Sequence, residues 1–166
     1  MAKKTKQVSD GMKVKGFFRL NIVDQNGKVR GDSGWKQNQI TNSGYQNFLM
    51  YLLAGSAGSI RPSHAAFGTA GTPASADATL VSQLTETGAK PAVTVGTAGS
   101  KTVNYTFTLA SGVVAAASTI MNVGLYYYTN ASQVNSNGTL MAGNTYASSS
   151  LATNQAINGT YQISFG

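Results

Sequence analysis

Side chains that could form a catalytic centre are scarce in this sequence. The chain has one histidine, His64, five carboxylates and no cysteine. Serines are abundant, but none stands in the nucleophile-elbow spacing that a Ser–His–Asp triad uses in many hydrolases. No two carboxylates are placed as the acid pair of a glycoside hydrolase. They are scattered along the chain as Asp10, Asp24, Asp32, Asp77 and Glu86.

Metal and cofactor sites are not predicted either. One histidine and no cysteine leave a metal ion only oxygen ligands. No Gly-Lys-Ser/Thr sequence forms a phosphate-binding loop, and the run from Gly68 to Thr72 is typical of a tight loop. His64 follows Arg61, Pro62 and Ser63, so we expect it in a loop or at a strand end. The sequence predicts a protein that is not an enzyme and has no cofactor.

Positive charge is concentrated in the first third of the chain. Ten of the 12 Lys and Arg residues, but three of the five acids, lie at or before Arg61. We identify a candidate partner-binding set on the N-terminal arm and the strand that follows it. Its members are Lys3, Lys4, Lys6, Lys13, Lys15 and Arg19.

This basic set has three interpretations. It could bind an acidic protein surface, or it could be a solvated tail with a solvated strand face. It could also bind single-stranded nucleic acid, with Phe17 as a stacking residue. Nucleic acid is the less favoured partner, because the arm is short and because lysines also mark a soluble edge strand.

The elements that position these residues are mostly strands. Residues 12–23 alternate between apolar and polar side chains, which predicts a strand with one buried face and the lysines on the other. Gln25-Asn26-Gly27 predicts a hairpin turn, because Asn-Gly accepts positive φ. Residues 28–40 then return as a second strand or extended segment that carries Trp35.

One segment has the period of a helix. In residues 42–54 five apolar side chains share one helical face, namely Tyr45, Phe48, Leu49, Leu52 and Leu53. Thr41 or Asn42 could accept hydrogen bonds from the first turn, and Gly55 stands where a helix commonly ends. A lone apolar helix among strands has to bury its face against a sheet.

The remainder of the chain predicts further strands and one helical piece. We expect strands at 65–67, 101–109, 119–128, 139–142 and 156–166, with pairing also after Pro91. Residues 77–84 are expected to form helical turns that point Leu80 and Leu84 inward. The predicted fold is mainly β, a β-sandwich or jelly-roll-like domain over 12–166 with one packed α-helix at 42–54. Residues 1–11 are predicted to be a flexible basic arm.

The predicted strand at 119–128 is apolar on both faces. Met121, Val123, Leu125 and Tyr127 are assigned to the core face. The opposite face carries the candidate subunit interface, which is Ile120, Tyr126 and Tyr128. Tyrosine is enriched at interfaces, so this face predicts a homo-oligomer. The alternative is that the helix at 42–54 covers it.

Composition bounds the class and the location of the protein. Charged residues make up 10% of the chain, well below ordinary domains, which is typical of a β-rich structural protein. No apolar run is long enough to cross a membrane, and no signal core follows the basic N-terminus. We therefore expect a protein made and kept in a cytoplasm, or released by lysis, with no membrane partner.

Four motifs in order resemble those of a class of small structural proteins of tailed bacteriophages. The first is W-x-x-N-x-I-T-N-x-G before a helix, matched by Trp35, Asn38, Ile40, Thr41, Asn42 and Gly44. A GTG-x-T-x-P loop is approximated by Gly68, Thr69, Gly71, Thr72 and Pro73, with Ala70 inserted. A D-x-x-L turn matches Asp77 and Leu80, and an I-x-E-x-G-L strand matches Ile120, Gly124 and Leu125.

The resemblance covers residues 14–166 and has two departures. Asn122 stands where that class has Glu, and Gly143 stands where it has Arg. The resemblance implies a virion protein that does no catalysis and binds other virion proteins, either the major capsid protein or tail proteins. A capsid decoration protein is favoured, because the chain has no fibrous shaft or repeat.

Two alternatives stay open. A tail-associated protein of a fibre, knob or baseplate would fit the same resemblance. A carbohydrate-binding module would use Trp35 and the tyrosines at 126–128 as stacking platforms for host glycans.

Overall fold

Two antiparallel sheets make up most of the protein. The computed structural model describes residues 13–49, 62–96, 99, 101–127 and 138–166. The six-stranded sheet has the order β2-β1-β10-β7-β6, with β3 also paired to β1, and the four-stranded sheet has the order β4-β9-β8-β5. The strands are β1 Val14–Val23, β2 Val29–Asp32, β3 Lys36–Gln37, β4 Gln39–Ile40, β5 Pro62–Gly68, β6 Thr94–Val95, β7 Thr102–Leu109, β8 Ser118–Tyr127, β9 Thr139–Leu151 and β10 Ala156–Phe165.

Strand β1 has the alternation that the sequence predicts. Phe18, Leu20 and Ile22 are buried, while the residues between them face outward. The predicted turn follows it, with Gly27 at φ 75°. Asp24 closes this turn by accepting hydrogen bonds from the amides of Asn26 and Lys28. The returning segment forms three short strands, β2, β3 and β4, where one longer strand was considered.

The centre of the six-stranded sheet is β10. It pairs with β1 along its whole length, from Val14 opposite Phe165 to Val23 opposite Ala156. Its other edge pairs with β7, from Ile157 opposite Leu109 to Ser164 opposite Thr102. The expected strands at 101–109 and 156–166 are confirmed.

The four-stranded sheet is built on β8 and β9. Strand β9 is 13 residues long, much longer than the brief pairing predicted at 139–142. The β8–β9 register shifts twice, between Ile120 and Asn122 and between Leu125 and Tyr126. The first shift corrects the predicted faces of β8. Ile120 joins the main core with Val123, whereas Met121 turns outward and is 37% exposed.

One buried cluster contains side chains from both sheets. Phe67 of β5 meets Phe107 of β7 with ring centroids 6.1 Å apart, and Phe18 lies 4.6 Å from Tyr161 within the six-stranded sheet. The inner face of each sheet therefore buries its apolar side chains against the other sheet. This burial explains why the inward residues of β1, β7 and β10 alternate with outward ones.

The helical segment begins where the sequence predicts. Asn42 and Ser43 are α-helical, and Gly44–Leu49 forms a π-helix. Thr41 is fully buried, and its hydroxyl donates to the Leu140 carbonyl at 2.6 Å while accepting the Gly44 amide at 3.0 Å. The segment therefore starts against β9. The rest of the predicted helix at 42–54, and the side chains of Phe48 and Leu49, lie outside the described residues.

The prediction of helical turns over 77–84 is wrong. Asp77 accepts the Ala74 amide at 2.8 Å and closes a turn, and Ser82 has a φ of 49°, which interrupts a right-handed helix. Leu84 then donates its amide to the Phe67 carbonyl of β5. Burial of Leu80 and Leu84 is nevertheless confirmed, since they are 5% and 7% exposed.

Residues 69–93, between β5 and β6, form a strap over the four-stranded sheet. Its first part crosses the outer face of the sheet, where Leu80 packs in a second buried cluster with Ala66, Tyr126 and Leu140. Its second part runs along the edge of β5, bonded through Pro91 and Val93 among others. The strap has no regular secondary structure beyond turns and isolated bridges.

Candidate partner-binding surface

Among the described members of the basic set, Arg19 forms an ion pair, whereas Lys13 and Lys15 form none with the described residues. Lys13 and Lys15 are exposed; Lys15 lies on the outward face of β1, and Lys13 directly precedes the strand. Arg19 shares that face, but its guanidinium donates to both carboxylate oxygens of Asp32, at 3.1 and 2.6 Å. Lys3, Lys4 and Lys6 lie outside the described residues.

The Arg19–Asp32 pair shifts the protonation equilibria of both groups in the direction that keeps them charged. The hydrogen bond and the charge of Asp32 raise the pKa of Arg19. The hydrogen bond from Arg19, with a second from the Gly34 amide, lowers the pKa of Asp32. Arg19 is therefore neutralised within the chain and contributes less field to a partner than Lys13 and Lys15.

A second pair lies at the same end of β1. Arg30 donates to Asp24 at 2.8 Å. Partial burial acts to raise the pKa of Asp24, but the bonds from the Lys28 amide, Arg30 and the Asn26 amide together lower it. Both acids of the first third that the structure describes are thus paired near the hairpin, while Lys13 and Lys15 lie at the opposite end of β1.

The outer face around Lys15 is polar and open. Across β10 and β7 it continues with amides and hydroxyls, and Gln162 donates to Asn104 at 3.0 Å. Thr108 donates to Asn158 in the same way at 2.9 Å. Its members on the three strands are Lys15, Phe17, Arg19, Asn158, Thr160, Gln162, Ser164, Asn104, Thr106 and Thr108, all half-buried or exposed.

The candidate subunit interface on β8 is occupied from within the chain. Tyr126 is fully buried beneath the strap, and Ile120 is fully buried in the main core. Neither side chain leaves exposed surface for a second subunit. The strap, rather than the helix considered for this role, covers the outer face at Tyr126. Tyr128 lies outside the described residues.

Tyr126 is the main point of attachment of the strap. Its hydroxyl accepts the Leu80 amide at 2.7 Å and donates to the Gln83 side chain at 2.6 Å. Burial raises the pKa of Tyr126 to about 12, against the opposing effect of the Leu80 hydrogen bond. The hydroxyl therefore stays protonated at physiological pH and can donate and accept at once.

Asn122, four residues before Tyr126 on β8, forms a second attachment of the strap. It is fully buried, and its amide nitrogen donates to the Ala70 and Gly71 carbonyls of the strap. A glutamate in this place has no N–H to donate. Gly143 lies opposite Pro73, and a Cβ there would come within 2.6 Å of the proline ring. Asn122 and Gly143 thus both lie in contact with the strap.

His64 is expected in a loop or at a strand end, and the loop is wrong, because His64 is the third residue of strand β5. It lies within β5, is 3% exposed, and stacks on Tyr126 with ring centroids 5.0 Å apart. Its Nδ1 lies 3.0 Å from the Ser63 hydroxyl. Burial, with a smaller effect of the Lys90 charge, lowers the pKa of His64 to about 4. It is therefore neutral at physiological pH.

A cleft of about 250 Å³ opens between β2 and β9, at one edge of the two sheets. Its floor is apolar and its rim is polar, and it is lined by Leu20, Ile22, Gly31, Asp32, Ser33, Lys36, Tyr146 and Ser149. The carboxylate of Asp32 is already bonded to Arg19 and to the Gly34 amide. The rim thus lacks a free carboxylate, and the cleft has no arrangement typical of a catalytic centre.

Two further features concern possible ligands. Trp35 is 47% exposed, whereas Tyr126 and Tyr127 are buried, so of these three platform residues Trp35 has a ring that a glycan could reach. Within the described residues no three His, Asp or Glu side chains lie close enough to hold a metal ion together. None of the helices described is long and apolar enough to cross a membrane.

The sequence predicts the exposed lysines at β1 but not the polar contacts between the strap and the sheet. Asn122, His64 and Gln83 are each isolated in the sequence, and the strap that joins them has no periodicity. Comparison with protein-family models, with curated proteins and with solved structures finds no significant match.

Proposed function

We propose that this chain is a non-enzymatic structural protein of a tailed-phage virion, and that it is a capsid decoration protein. The observation that carries the proposal is the pair of exposed lysines, Lys13 and Lys15, on an open polar sheet face. In this proposal they and the lysines of the arm bind an acidic surface of the major capsid protein. The motif resemblance supplies the virion context.

The arrangement of charge supports attachment through this end of the sheet. The nearby acids Asp24 and Asp32 are paired with Arg30 and Arg19, so they do not offset the lysines. Exposed charges of one sign increase the rate of association with an oppositely charged surface. The neighbouring amides and hydroxyls can hydrogen-bond to a polar protein surface without burying an unpaired charge.

The proposal also covers the finer architecture. The shared core of the two sheets supports a β-sandwich or jelly-roll-like arrangement. In this proposal the helix continues to residue 54 and lays its apolar face on the four-stranded sheet or on a neighbouring subunit. The cap formed by Thr41 and the start of the segment on β9 support this extension.

Binding to undecorated shells tests the function. Purified protein is mixed with shells at rising salt, and the bound copies are counted. We expect the double variant Lys13→Glu/Lys15→Glu to bind about tenfold more weakly, and added salt to weaken the native protein. The matched control is Lys28→Glu/Lys36→Glu, which makes the same charge change at exposed sites elsewhere. Equal binding by the two double variants would contradict the proposal.

Copy number on purified particles separates the two virion locations. Hundreds of copies per particle are expected for a decoration protein, since a shell repeats its coat subunit many times. A copy number about that of a tail ring would instead establish the tail-associated alternative. Light scattering on the free protein tests the predicted homo-oligomer, for which the buried side chains of Ile120 and Tyr126 do not supply the surface.

The exposure of Trp35 favours glycan binding as a second candidate. An exposed indole can stack on a sugar ring, and it needs no partner in the chain to do so. A glycan array with native protein and Trp35→Ala tests this. Binding lost in the variant would support the carbohydrate-binding alternative, and no binding by either protein would remove it.

A further inference from the structure

His64 lies where the strap meets the two strands that it covers. It is a β5 residue, it forms a bridge with Ala92 of the strap, and its ring stacks on Tyr126 of β8. Tyr126 in turn bonds to Leu80 and Gln83 in the first part of the strap. The only histidine of the chain is therefore linked to both parts of the strap, directly to the second part and through Tyr126 to the first.

The charged groups around this histidine are unfavourable for an imidazolium ion. Lys90 of the strap places a positive charge near the ring, and the ring itself is buried. Asp77 acts electrostatically on Tyr126, on the far side of the stack. Ser63 contacts Nδ1 from the same strand. A proton on His64 would thus put a second cation beside Lys90 in a site from which water is largely excluded.

We propose that the strap is a latch released by acid: proton uptake by His64 detaches residues 69–93 from β5 and β8 while the two sheets stay folded. Release would expose the second buried cluster, which is Ala66, Leu80, Tyr126 and Leu140, and would withdraw Leu84 and Ala89 from the main core. This inference does not depend on what the protein binds, and it adds a regulated apolar surface on the face opposite to the lysines.

The strap is the part of the fold suited to open alone. It is held by single backbone bonds, such as those from Leu84 to Phe67 and from Val93 to Ser63, and by the side-chain attachments at Tyr126 and Asn122. Its apolar anchors are few, namely Leu80 in the second cluster and Leu84 and Ala89 at the margin of the main core. The strands β1 and β10 instead pair over ten residues each. Segments with few such bonds open locally at lower cost than paired strands.

Native-state hydrogen exchange, corrected for intrinsic rates, measures the opening. The reporters are the bonded amides of Leu80, Leu84 and Val93 in the strap, and those of β10 in the sheet. From about pH 7 to about pH 5 we expect the strap amides to lose protection about twentyfold, as the closed state excludes a proton that the open state binds. The β10 amides should keep their protection.

Three variants test whether His64 is the group whose protonation releases the strap. His64→Gln and His64→Phe remove the titrating group, and the second keeps an aromatic ring on Tyr126. Both should flatten the pH dependence of the strap amides. Asp77→Asn should leave that dependence in place, because the carboxylate does not hold the proton in question. Acid release that persists without His64, or that vanishes in Asp77→Asn, would overturn the proposal.

A direct titration keeps the test decisive if the histidine variants do not fold. The chain has one histidine, so its ring carbon-bound protons give one set of NMR signals in the native protein. We expect a midpoint far below the ordinary value. A midpoint at about 6.5 would show a solvated ring and would refute the latch. Loss of protection by strap and β10 amides together would refute it as well.

Discussion

The outer faces of the two sheets differ: one is open to solvent, and the other is covered by the strap. The outer face of the six-stranded sheet consists of amides, hydroxyls and three basic or aromatic side chains of β1, and it stays open. The outer face of the four-stranded sheet carries Tyr126 and Leu140, and the strap buries both of them. One face is available to a partner, and the other is part of the protein's interior.

This difference shows why strand periodicity cannot by itself identify an interface. A strand that is apolar on both faces must be covered twice, but the cover can come from the same chain. In this protein the cover is an irregular strap whose polar groups find partners on β8. Candidate binding residues are therefore better sought on the polar face, where Lys13 and Lys15 have no acidic neighbour among the described ion pairs.

The largest loss of stability is expected from removing the Tyr126 side chain, which belongs to the covered face. Tyr126→Ala should lower the free energy of unfolding by about 3–5 kcal/mol, because it leaves a cavity and leaves the Leu80 amide without its hydrogen-bond acceptor. If Tyr126 instead lay at a subunit interface, as the sequence predicts, its removal would weaken assembly more than folding. Phe17→Ala on the open face is the control, with an expected loss below about 1.5 kcal/mol. Denaturant unfolding measures both, and equal losses would contradict the distinction between the faces.

Acid should weaken the covered side more than the open side. Below about pH 6.5 the unfolded chain binds a proton on its histidine that folded His64, with its pKa lowered to about 4, does not bind. Stability from this group is complete above the unfolded pKa and is lost as the pH falls toward 4. By about pH 5 the native protein should lose about 2 kcal/mol more than His64→Gln. Parallel stability curves would rule this out.

A smaller effect is expected at Asn122. Asn122→Asp replaces the amide donor with an acceptor that faces the Ala70 and Gly71 carbonyls. We expect the free energy of unfolding to fall by about 2 kcal/mol, and thermal unfolding measures it. Asn158→Asp makes the same change on the open face, where water can solvate the carboxylate, and should be nearly neutral. A neutral result at Asn122 would mean that the strap does not depend on this attachment.

The smallest effect on stability is expected from the lysines. Lys13→Glu/Lys15→Glu should leave the melting temperature nearly unchanged, because both side chains are exposed and neither forms an ion pair within the described residues. The same variant is expected to lose shell binding, so differential scanning calorimetry distinguishes a binding surface from a structural one. A marked fall in melting temperature would show that the lysines support the fold.

Strands with one buried face could be predicted from the sequence because period two is local information. The alternation around Phe18 and Phe107 and the Asn-Gly turn were sufficient for β1, β7 and the hairpin. The cap at Thr41 was also readable, since a short polar side chain before an apolar period marks a helix start.

The covered side could not be predicted, because its determinants are non-local. The bulge that reverses Ile120 and Met121 depends on the register of β9. Residues 77–84 have helical spacing, but Asp77 and Ser82 hold turns that serve the contact with β8. His64 is buried because the strap covers β5, and the strap has no periodic sequence pattern by which it could be predicted.

The central position of β10 has a consequence for how the chain folds. Strand β1 pairs with β2 and β3 soon after it in the sequence, but its long partner β10 lies at the other end of the described sequence. Pairing of such distant segments is slow, since a large loop must close before the contact forms. On the ribosome, β1 and β7 therefore remain without their shared neighbour until β10 has been synthesised, which leaves two unpaired strand edges exposed to aggregation or to chaperones.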